Sequence, residues 1–262
     1  MVSQGRYINR ERLSSTVSGR ITEDNALIRF YLMRLLRGTV IEDPAQRWSA
    51  SHLLEQVRVT RRLIDRVGQY QRRGETILAD GFGVEDDFNR SSSRSATTRD
   101  PRYPPELQVI HLGGPPGDHD IGTAFEVPAS HDVYLETISL AIAHRAGDDE
   151  LDVWIAPDLD GKPDPRNIVE AYRVIGSQSY STRIATLRSP SHPVLQQGRR
   201  YWILLSTSAP NSEIALLSAP LDFVPRPALI AEREDGGEWE VADSPNGPGY
   251  AVRVTGRSVK VP

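Results

Sequence analysis

Cysteine is absent from this sequence of 262 residues, and its absence excludes several chemistries at once. Without thiols the chain cannot form disulfides, thiolate metal sites or iron–sulfur clusters, and it has no cysteine nucleophile. Long apolar runs are missing as well, since no stretch approaches the ~18 residues that a membrane-spanning helix needs. The first six residues, MVSQGR, lack the apolar core of a secretion signal. We therefore predict neither a membrane span nor a standard secretion signal.

Lysine is almost absent, because only Lys162 and Lys260 accompany 29 arginines. Such a bias is typical of a GC-rich genome, but it also fits arginine forks that contact phosphates or carboxylates. Charge is divided unevenly along the chain. Residues 1–75 carry a net charge of +6, residues 76–108 carry −2 and residues 109–262 carry −8. We therefore expect the basic first part and the acidic last part to have different partners.

Residues 1–75 contain two helical patterns. The first begins at Thr22, a suitable N-cap, and ends at Gly38, a residue typical of helix C-termini. The second begins at Asp43 and Pro44, which suit the N-cap and the first helical position. Two consecutive helices predict a helical module in this part of the chain.

The second predicted helix is amphipathic and ends near Gly68 or Gly74. Four apolar residues at helical spacing form one face, namely Leu53, Val57, Ile64 and Val67. Six arginines cover much of the remaining surface, and they are candidate contacts for phosphates or for an acidic partner: Arg58, Arg61, Arg62, Arg66, Arg72 and Arg73.

The rest of the chain changes character twice. Residues 76–108 are rich in serine, glycine and proline and have the composition of a linker. Residues 109–262 contain about nine short apolar runs separated by turn residues, a pattern typical of antiparallel strands. We therefore predict an α+β protein of two domains, a helical module over 1–75 and an antiparallel β-sandwich of jelly-roll type over 109–262.

The β-rich part resembles the choice-of-anchor type of bacterial β-sandwich module. The segments that carry the resemblance are Ala124–Val127, Tyr134–Leu140, Leu151–Ile155, Asp160–Pro163 and Gln197–Leu205. The family's pattern has a strand reading L-x-x-I-S-L and a later strand reading L-x-x-G-x-x-Y-W-L-x-L, and the resemblance covers roughly a third of the chain. The resemblance implies a surface-exposed or secreted module that lies beside sugar-binding or anchoring modules. The missing secretion signal departs from that pattern.

The basic part is similar to small helical modules of phage DNA-packaging and regulatory proteins. Leu32–Gly38 and Asp43–Glu55 carry the similarity, the second through a D-x-x-x-R-x-x-A-x-x-L-L pattern. This resemblance implies a pair of helices arranged like a helix-turn-helix.

One acidic segment resembles the start of a calcium loop, Asp158-Leu159-Asp160-Gly161. An EF-hand needs further ligands at its fifth and twelfth positions, and Lys162 and Val169 occupy these. Two interpretations stay open, a looser calcium site formed by Asp158, Asp160 and Asp164, or an acidic turn between strands. We predict no other cofactor.

No sequence pattern indicates catalysis. The chain has no G-x-S-x-G motif, and its six histidines lie in unrelated contexts. We therefore predict a protein that is not an enzyme.

Three aromatic residues are candidates for stacking on a sugar. Tyr201 and Trp202 are neighbours in a strand, so we expect one to face the core and the other to face outward. Trp239 lies beside a turn, where we expect it to be exposed.

These observations support three hypotheses. The first is a non-enzymatic structural or adhesion protein of a large assembly, such as a phage virion or a cell-surface layer. Its helical part would attach to protein partners, its β-sandwich would project or bind, and the protein would be an oligomer. The second is a carbohydrate-binding module, and the third is a nucleic-acid-binding packaging or regulatory accessory. The first places the protein on a virion or at a cell surface.

Overall fold

The computed structural model describes residues 28, 32, 35, 49–82, 109–112, 119–146, 150–175, 183–207, 213–219, 228–234, 236–244 and 249–259. The chain forms two compact units, Met1–Gln71 and Arg72–Pro262. We refer to the second as the β unit.

Helix α1 spans Ala50–Arg72 and is the helix of the basic segment whose bounds the structure describes. Its first turn is closed by the amide of Leu53, which donates to the carbonyl of Ser49 at 2.8 Å. The helix continues past Gly68 and ends before Gly74, whose φ of 74° lies in the left-handed region that favours glycine at a helix C-terminus. The start predicted at Asp43 lies outside the described residues. So does the earlier helix, except for residues 28, 32 and 35, which are helical.

The buried face of α1 differs from the predicted one. Its buried residues are Gln56, Thr60, Leu63 and Val67. Their spacing of three and four residues places them on one side of the helix. Of the four residues predicted for the apolar face, Val67 is buried, Leu53 and Ile64 are half-buried, and Val57 is exposed. The prediction followed apolar side chains alone and therefore missed a face that includes two polar residues.

The described residues of the β unit form fifteen strands. They are β1 (Thr76–Asp80), β2 (Val109–Leu112), β3 (His119–Glu126), β4 (Val133–Ala146), β5 (Glu150–Leu159), β6 (Lys162–Pro163), β7 (Glu170–Ile175), β8 (Arg183–Arg188), β9 (Val194–Leu195), β10 (Arg200–Ser206), β11 (Glu213–Ala219), β12 (Ala228–Glu234), β13 (Glu240–Ser244), β14 (Gly249–Tyr250) and β15 (Val252–Ser258).

These strands form two antiparallel sheets. In the eight-stranded sheet the order is β1-β15-β4-β11-β14, with β2 paired to β11 and with β8 and β9 paired to β4. In the seven-stranded sheet the order is β13-β12-β3-β10-β5-β6, with β7 paired to β5. One apolar cluster takes residues from both sheets, including Leu140 of β4 and Ile203 of β10. The two sheets therefore share one core.

The seven-stranded sheet buries side chains on both of its faces. Along β10, Tyr201, Ile203 and Leu205 point into the shared core. Trp202 and Leu204 point to the opposite face, where they belong to a second buried cluster with Trp239. Because both faces are buried, alternation along β10 separates two apolar environments rather than core from solvent.

The predicted fold class is wrong. The described residues form fifteen strands and one bounded helix, with the sheets in a nearly closed, barrel-like arrangement, not a helical module joined to a jelly-roll sandwich. Strand patterns are the same in sandwiches and in barrels, so the pattern could not distinguish them. The distinction lies in strand pairing. The 14-residue strand β4 pairs with β15, β11, β8 and β9 and so extends one sheet around the core.

The start of the predicted linker is part of a sheet. Residues 76–80 form β1, which pairs antiparallel with β15. Beyond the strand, the amide of Gly81 donates to the carbonyl of Val252 at 2.7 Å. A Cβ at position 81 would collide with the carbonyl oxygen of Tyr250, so this close approach requires glycine. Residues 83–108 lie outside the described residues, and the other predicted domain bounds stay predictions.

Candidate interaction surface

The side of α1 opposite its buried face carries a mixed apolar and cationic surface. Leu54, Arg61 and Arg72 lie along this side, because spacings of seven and eighteen residues are about two and five turns. Val57 and Arg62 flank them, and all five are exposed. We call these five residues the outer face of α1.

Arg61 of this surface is held only weakly by its acidic neighbour on the helix. Arg61 Nε lies 3.9 Å from Asp65 Oδ2, and 84% and 65% of the two side chains are exposed. An ion pair of this kind contributes little because water and salt screen it. Of the six arginines predicted as contacts, Arg58, Arg61, Arg62, Arg72 and Arg73 are exposed, whereas Arg66 is half-buried. Arg58 and Arg66 also have interaction partners of their own.

The three aromatic residues predicted to stack on sugars are buried. Their exposed fractions are 6% for Tyr201, 0% for Trp202 and 5% for Trp239. The expected exposure of Trp239 is therefore wrong. Tyr201 and Trp202 face opposite sides of β10, but both sides are covered, so the expectation that one of them faces outward is wrong too. None of the three rings offers a free face on which a sugar could stack.

These aromatic residues have internal partners. Trp202 Nε1 donates to Asp158 Oδ2 at 2.9 Å. The hydroxyl of Tyr201 accepts a hydrogen bond from the amide of Gln196 at 2.9 Å. The guanidinium carbon of Arg233 lies 4.7 Å from the ring centroid of Trp239. The turn beside Trp239 led to a wrong prediction of exposure, because a turn in the sequence does not show which side chains pack on the neighbouring residue.

Two of the three aspartates of the predicted calcium site accept hydrogen bonds from neighbouring residues. Asp158 accepts from the amide of Gly161 at 3.0 Å, which closes the turn between β5 and β6. Asp164 accepts from the amide of Arg166 at 3.1 Å and from the side chain of Asn167 at 2.6 Å. Asp160 is exposed in the turn, at a φ of 54°. These contacts fit an acidic turn between strands, and the looser calcium site stays a prediction.

Sequence reasoning missed a polar cluster around Glu170 of β7. The carboxylate accepts from the amide of Ser191 at 3.1 Å and from its hydroxyl at 2.6 Å. The hydroxyl of Tyr172 donates to the same carboxylate. Because β7 belongs to the seven-stranded sheet and Ser191 follows β8 of the eight-stranded sheet, Glu170 links the two sheets. The partners are 21 residues apart in the chain, so no local motif marks them.

Hydrogen bonding controls the charge of this cluster. Burial by itself raises the pKa of Glu170, but hydrogen bonds from Ser191, Tyr172 and Ser189 outweigh burial and lower it below its ordinary value. Burial and the adjacent Glu170 carboxylate raise the pKa of Tyr172. At neutral pH the cluster is therefore a carboxylate surrounded by neutral donors, an arrangement that holds the segment after β8 in place.

Two further groups resemble each other, because each consists of one arginine, one aspartate and one aromatic residue. In the Arg253 group, Arg253 Nε lies 3.2 Å from Asp80 Oδ1 and its guanidinium lies over the ring of Phe82. In the Arg233 group, Arg233 Nε lies 2.6 Å from Asp120 Oδ2 and its guanidinium lies over Trp239. Each group joins neighbouring strands of one sheet, so both serve the fold.

One histidine contacts two serines but forms no catalytic triad. His131 Nε2 lies 2.9 Å from the hydroxyl of Ser258, and its Nδ1 lies 2.8 Å from the hydroxyl of Ser130. A serine hydrolase needs a group, usually a carboxylate, that orients and stabilises the charged histidine. Here a neighbouring hydroxyl occupies that position. These contacts connect the β3–β4 loop to the end of β15.

Comparisons with known proteins give little further information. No protein-family model matches the chain, and no curated protein does. Among solved structures, the chain is similar to a clostridial cysteine protease, Cwp84, after cleavage of its propeptide, with 12% identity and a TM-score of 0.37. The match covers 58% of this chain and 38% of that one. A TM-score this low establishes neither a shared fold nor a shared function. This chain also has no cysteine.

The described residues show neither a membrane-crossing helix nor a cluster of metal ligands. No helix among them is both long and apolar enough to cross a membrane. Nor do they contain a group of three or more histidine, aspartate or glutamate side chains placed to hold a metal ion. The outer face of α1 is therefore the candidate surface that sequence reasoning and structure have in common.

Proposed function

We propose that this protein is a structural or adhesion protein of a large assembly, to which it attaches through the outer face of α1. It performs no reaction of its own, and its β unit supplies a rigid body that projects from the assembly or binds a further partner. The observation that carries this proposal is the exposure of arginines on α1 opposite its buried face. Exposed arginines beside apolar side chains are typical of protein interaction surfaces.

The polar groups of the β unit support a structural role. Glu170, Arg253, Arg233 and His131 contact groups on other strands or loops of the same unit. Side chains engaged in this way stabilise a fixed shape. The burial of Tyr201, Trp202 and Trp239 removes the support for sugar binding, so we do not propose a carbohydrate-binding module.

Sedimentation in extracts of the producing cells tests the proposal. We expect the full chain to sediment far faster than a particle of its own 29.2 kDa. The double variant Arg61→Glu and Arg62→Glu should stay near the top of the gradient, because it reverses the charge of the attachment surface. The control variant Lys162→Glu and Arg166→Glu makes the same charge change at exposed positions of the β unit and should sediment like the unchanged chain.

Two results would contradict the proposal. One is sedimentation of the unchanged chain as a free protein. The other is loss of the fast-sedimenting form after nuclease treatment, which would indicate a nucleic-acid accessory instead.

A further inference from the structure

The outer face of α1 is long enough to hold an extended partner surface. Eighteen residues separate Leu54 from Arg72, which corresponds to about 27 Å along the helix axis. Two apolar side chains, Leu54 and Val57, are exposed to 52% and 41% within the same face as the arginines. Exposed apolar side chains favour a protein partner over a phosphate backbone, because a phosphate backbone offers nothing apolar to pack against them.

The β unit carries a surface of the opposite sign at one edge of its seven-stranded sheet. We call it the acidic rim, and it consists of Glu232 and Glu234 on β12 together with Glu238 and Glu240 at the start of β13. All four are exposed. Residues two apart in a strand share a face, so Glu232 and Glu234 point to the same side. Strand β13 is the terminal strand of its sheet, so the rim lies at a sheet edge.

The negative charges of the acidic rim repel one another. Glu232 and Glu240 are directly opposite each other in the antiparallel pair of β12 and β13. Like charges in opposed positions destabilise a sheet. The hydroxyl of Tyr250 lies 3.5 Å from Glu232 Oε1, and burial and this carboxylate raise the pKa of Tyr250, so the neighbour is a neutral hydroxyl. A cationic partner would relieve the repulsion.

From this complementarity we infer that the outer face of α1 of one copy of this chain binds the acidic rim of a second copy. The inference rests on the proposed function and names one partner of the attachment surface. The net charge of +6 over residues 1–75 and of −8 over residues 109–262 favours association in this sense. Two different surfaces meet in this contact, so each copy keeps one of each for further copies. Such a contact produces a ring or a filament.

The test uses the purified, nuclease-treated full chain in sedimentation-velocity experiments over a range of concentrations. The unchanged chain should associate at an ionic strength of about 0.05 M and dissociate at about 0.5 M, because salt screens exposed charges. The face variant, Arg61→Glu with Arg62→Glu, should be monomeric at low salt. The rim variant, Glu238→Arg with Glu240→Arg, should be monomeric too. Lys162→Glu with Arg166→Glu is the control and should associate like the unchanged chain.

Mixing the two monomeric variants gives the decisive measurement. The face variant presents negative charge on α1, and the rim variant presents positive charge on the sheet edge, so their equimolar mixture should associate again. Circular dichroism of each variant shows that it is folded before mixing. Folded variants that fail to associate in the mixture would overturn the inference, as would an unchanged chain that is monomeric at every concentration.

The two proposals fail in different ways. If the purified chain is monomeric but still sediments rapidly in a nuclease-treated extract, the second-copy contact is wrong and the assembly role stands. If the chain is free in the extract and monomeric when purified, both are wrong.

Discussion

The Arg253 group and the Arg233 group contain similar residue types in two different environments. In each, an arginine on one strand contacts an aspartate on the neighbouring strand and lies over an aromatic ring. The side chains of Arg253 and Asp80 are 3% and 1% exposed, whereas those of Arg233 and Asp120 are 20% and 7% exposed. Geometry and residue types are similar, and access to water differs.

This difference predicts how each group responds to the loss of one partner. A fully buried charge whose partner is removed has no water to replace it, so the loss is severe. A charge at the edge of solvent can be hydrated again, which limits the loss. The two groups therefore separate the effect of burial from the effect of pairing. Three predictions test the comparison.

The largest effect is expected for Asp80→Ala, which leaves the Arg253 guanidinium buried beside Phe82 without this carboxylate. We expect the free energy of unfolding to fall by about 3–5 kcal/mol. Urea unfolding followed by tryptophan fluorescence measures it. As a control, Asp80→Leu with Arg253→Met removes both charges and should be more stable than Asp80→Ala. A loss below about 1 kcal/mol would show that water reaches Arg253 after all.

A smaller effect is expected for Asp120→Ala in the Arg233 group, about 2 kcal/mol by the same measurement. Arg233 keeps its contact with Trp239 and gains hydration where Asp120 was. If this variant loses as much stability as Asp80→Ala, the difference in burial does not control the two groups.

The smallest effect is expected for Glu170→Gln, about 1 kcal/mol at pH 7. Glu170 sharpens the comparison because hydroxyl and amide donors hold it instead of an arginine. Its pKa is lower in the folded chain than in the unfolded chain, so its carboxylate stabilises the fold above about pH 4.5.

That stabilisation disappears as the pH falls through the lowered pKa of Glu170. The difference in stability between the unchanged chain and Glu170→Gln should therefore be constant from pH 7 to about pH 5 and shrink at lower pH. Stability curves of both proteins between pH 3 and pH 7 measure this. A difference that stays constant over that range would mean that hydrogen bonding does not lower the pKa.

Local features of the fold were predictable. The helical pattern of α1 and the alternation along β10 follow from neighbouring residues alone, whereas the helix end was left open between Gly68 and Gly74. The exposed arginines of α1 were predictable for the same reason, since a charged residue surrounded by other arginines lies on the solvent side of a helix. The linker was predictable only in part, because residues 76–80 pair with a strand far along the chain.

The burial of the aromatic residues that were candidates for sugar binding was not predictable. Trp239 lies beside a turn, as its neighbours indicate, yet it packs under Arg233. Trp202 faces away from the shared core, as alternation indicates, yet a second cluster buries it. Alternation reports on which side of a strand a residue lies, and it contains no information on what covers that side.

The sequence by itself determined the strand-rich character of residues 109–262, the missing thiol chemistry and the opposite charges of the first and last parts of the chain. Only the tertiary structure decided which strands pair, how the sheets approach closure and which charges meet. Asp80 and Arg253 are 173 residues apart, and their contact exists because β1 pairs with β15. The physical reason is that side-chain patterning is a property of neighbours along the chain, whereas pairing and burial depend on the whole topology.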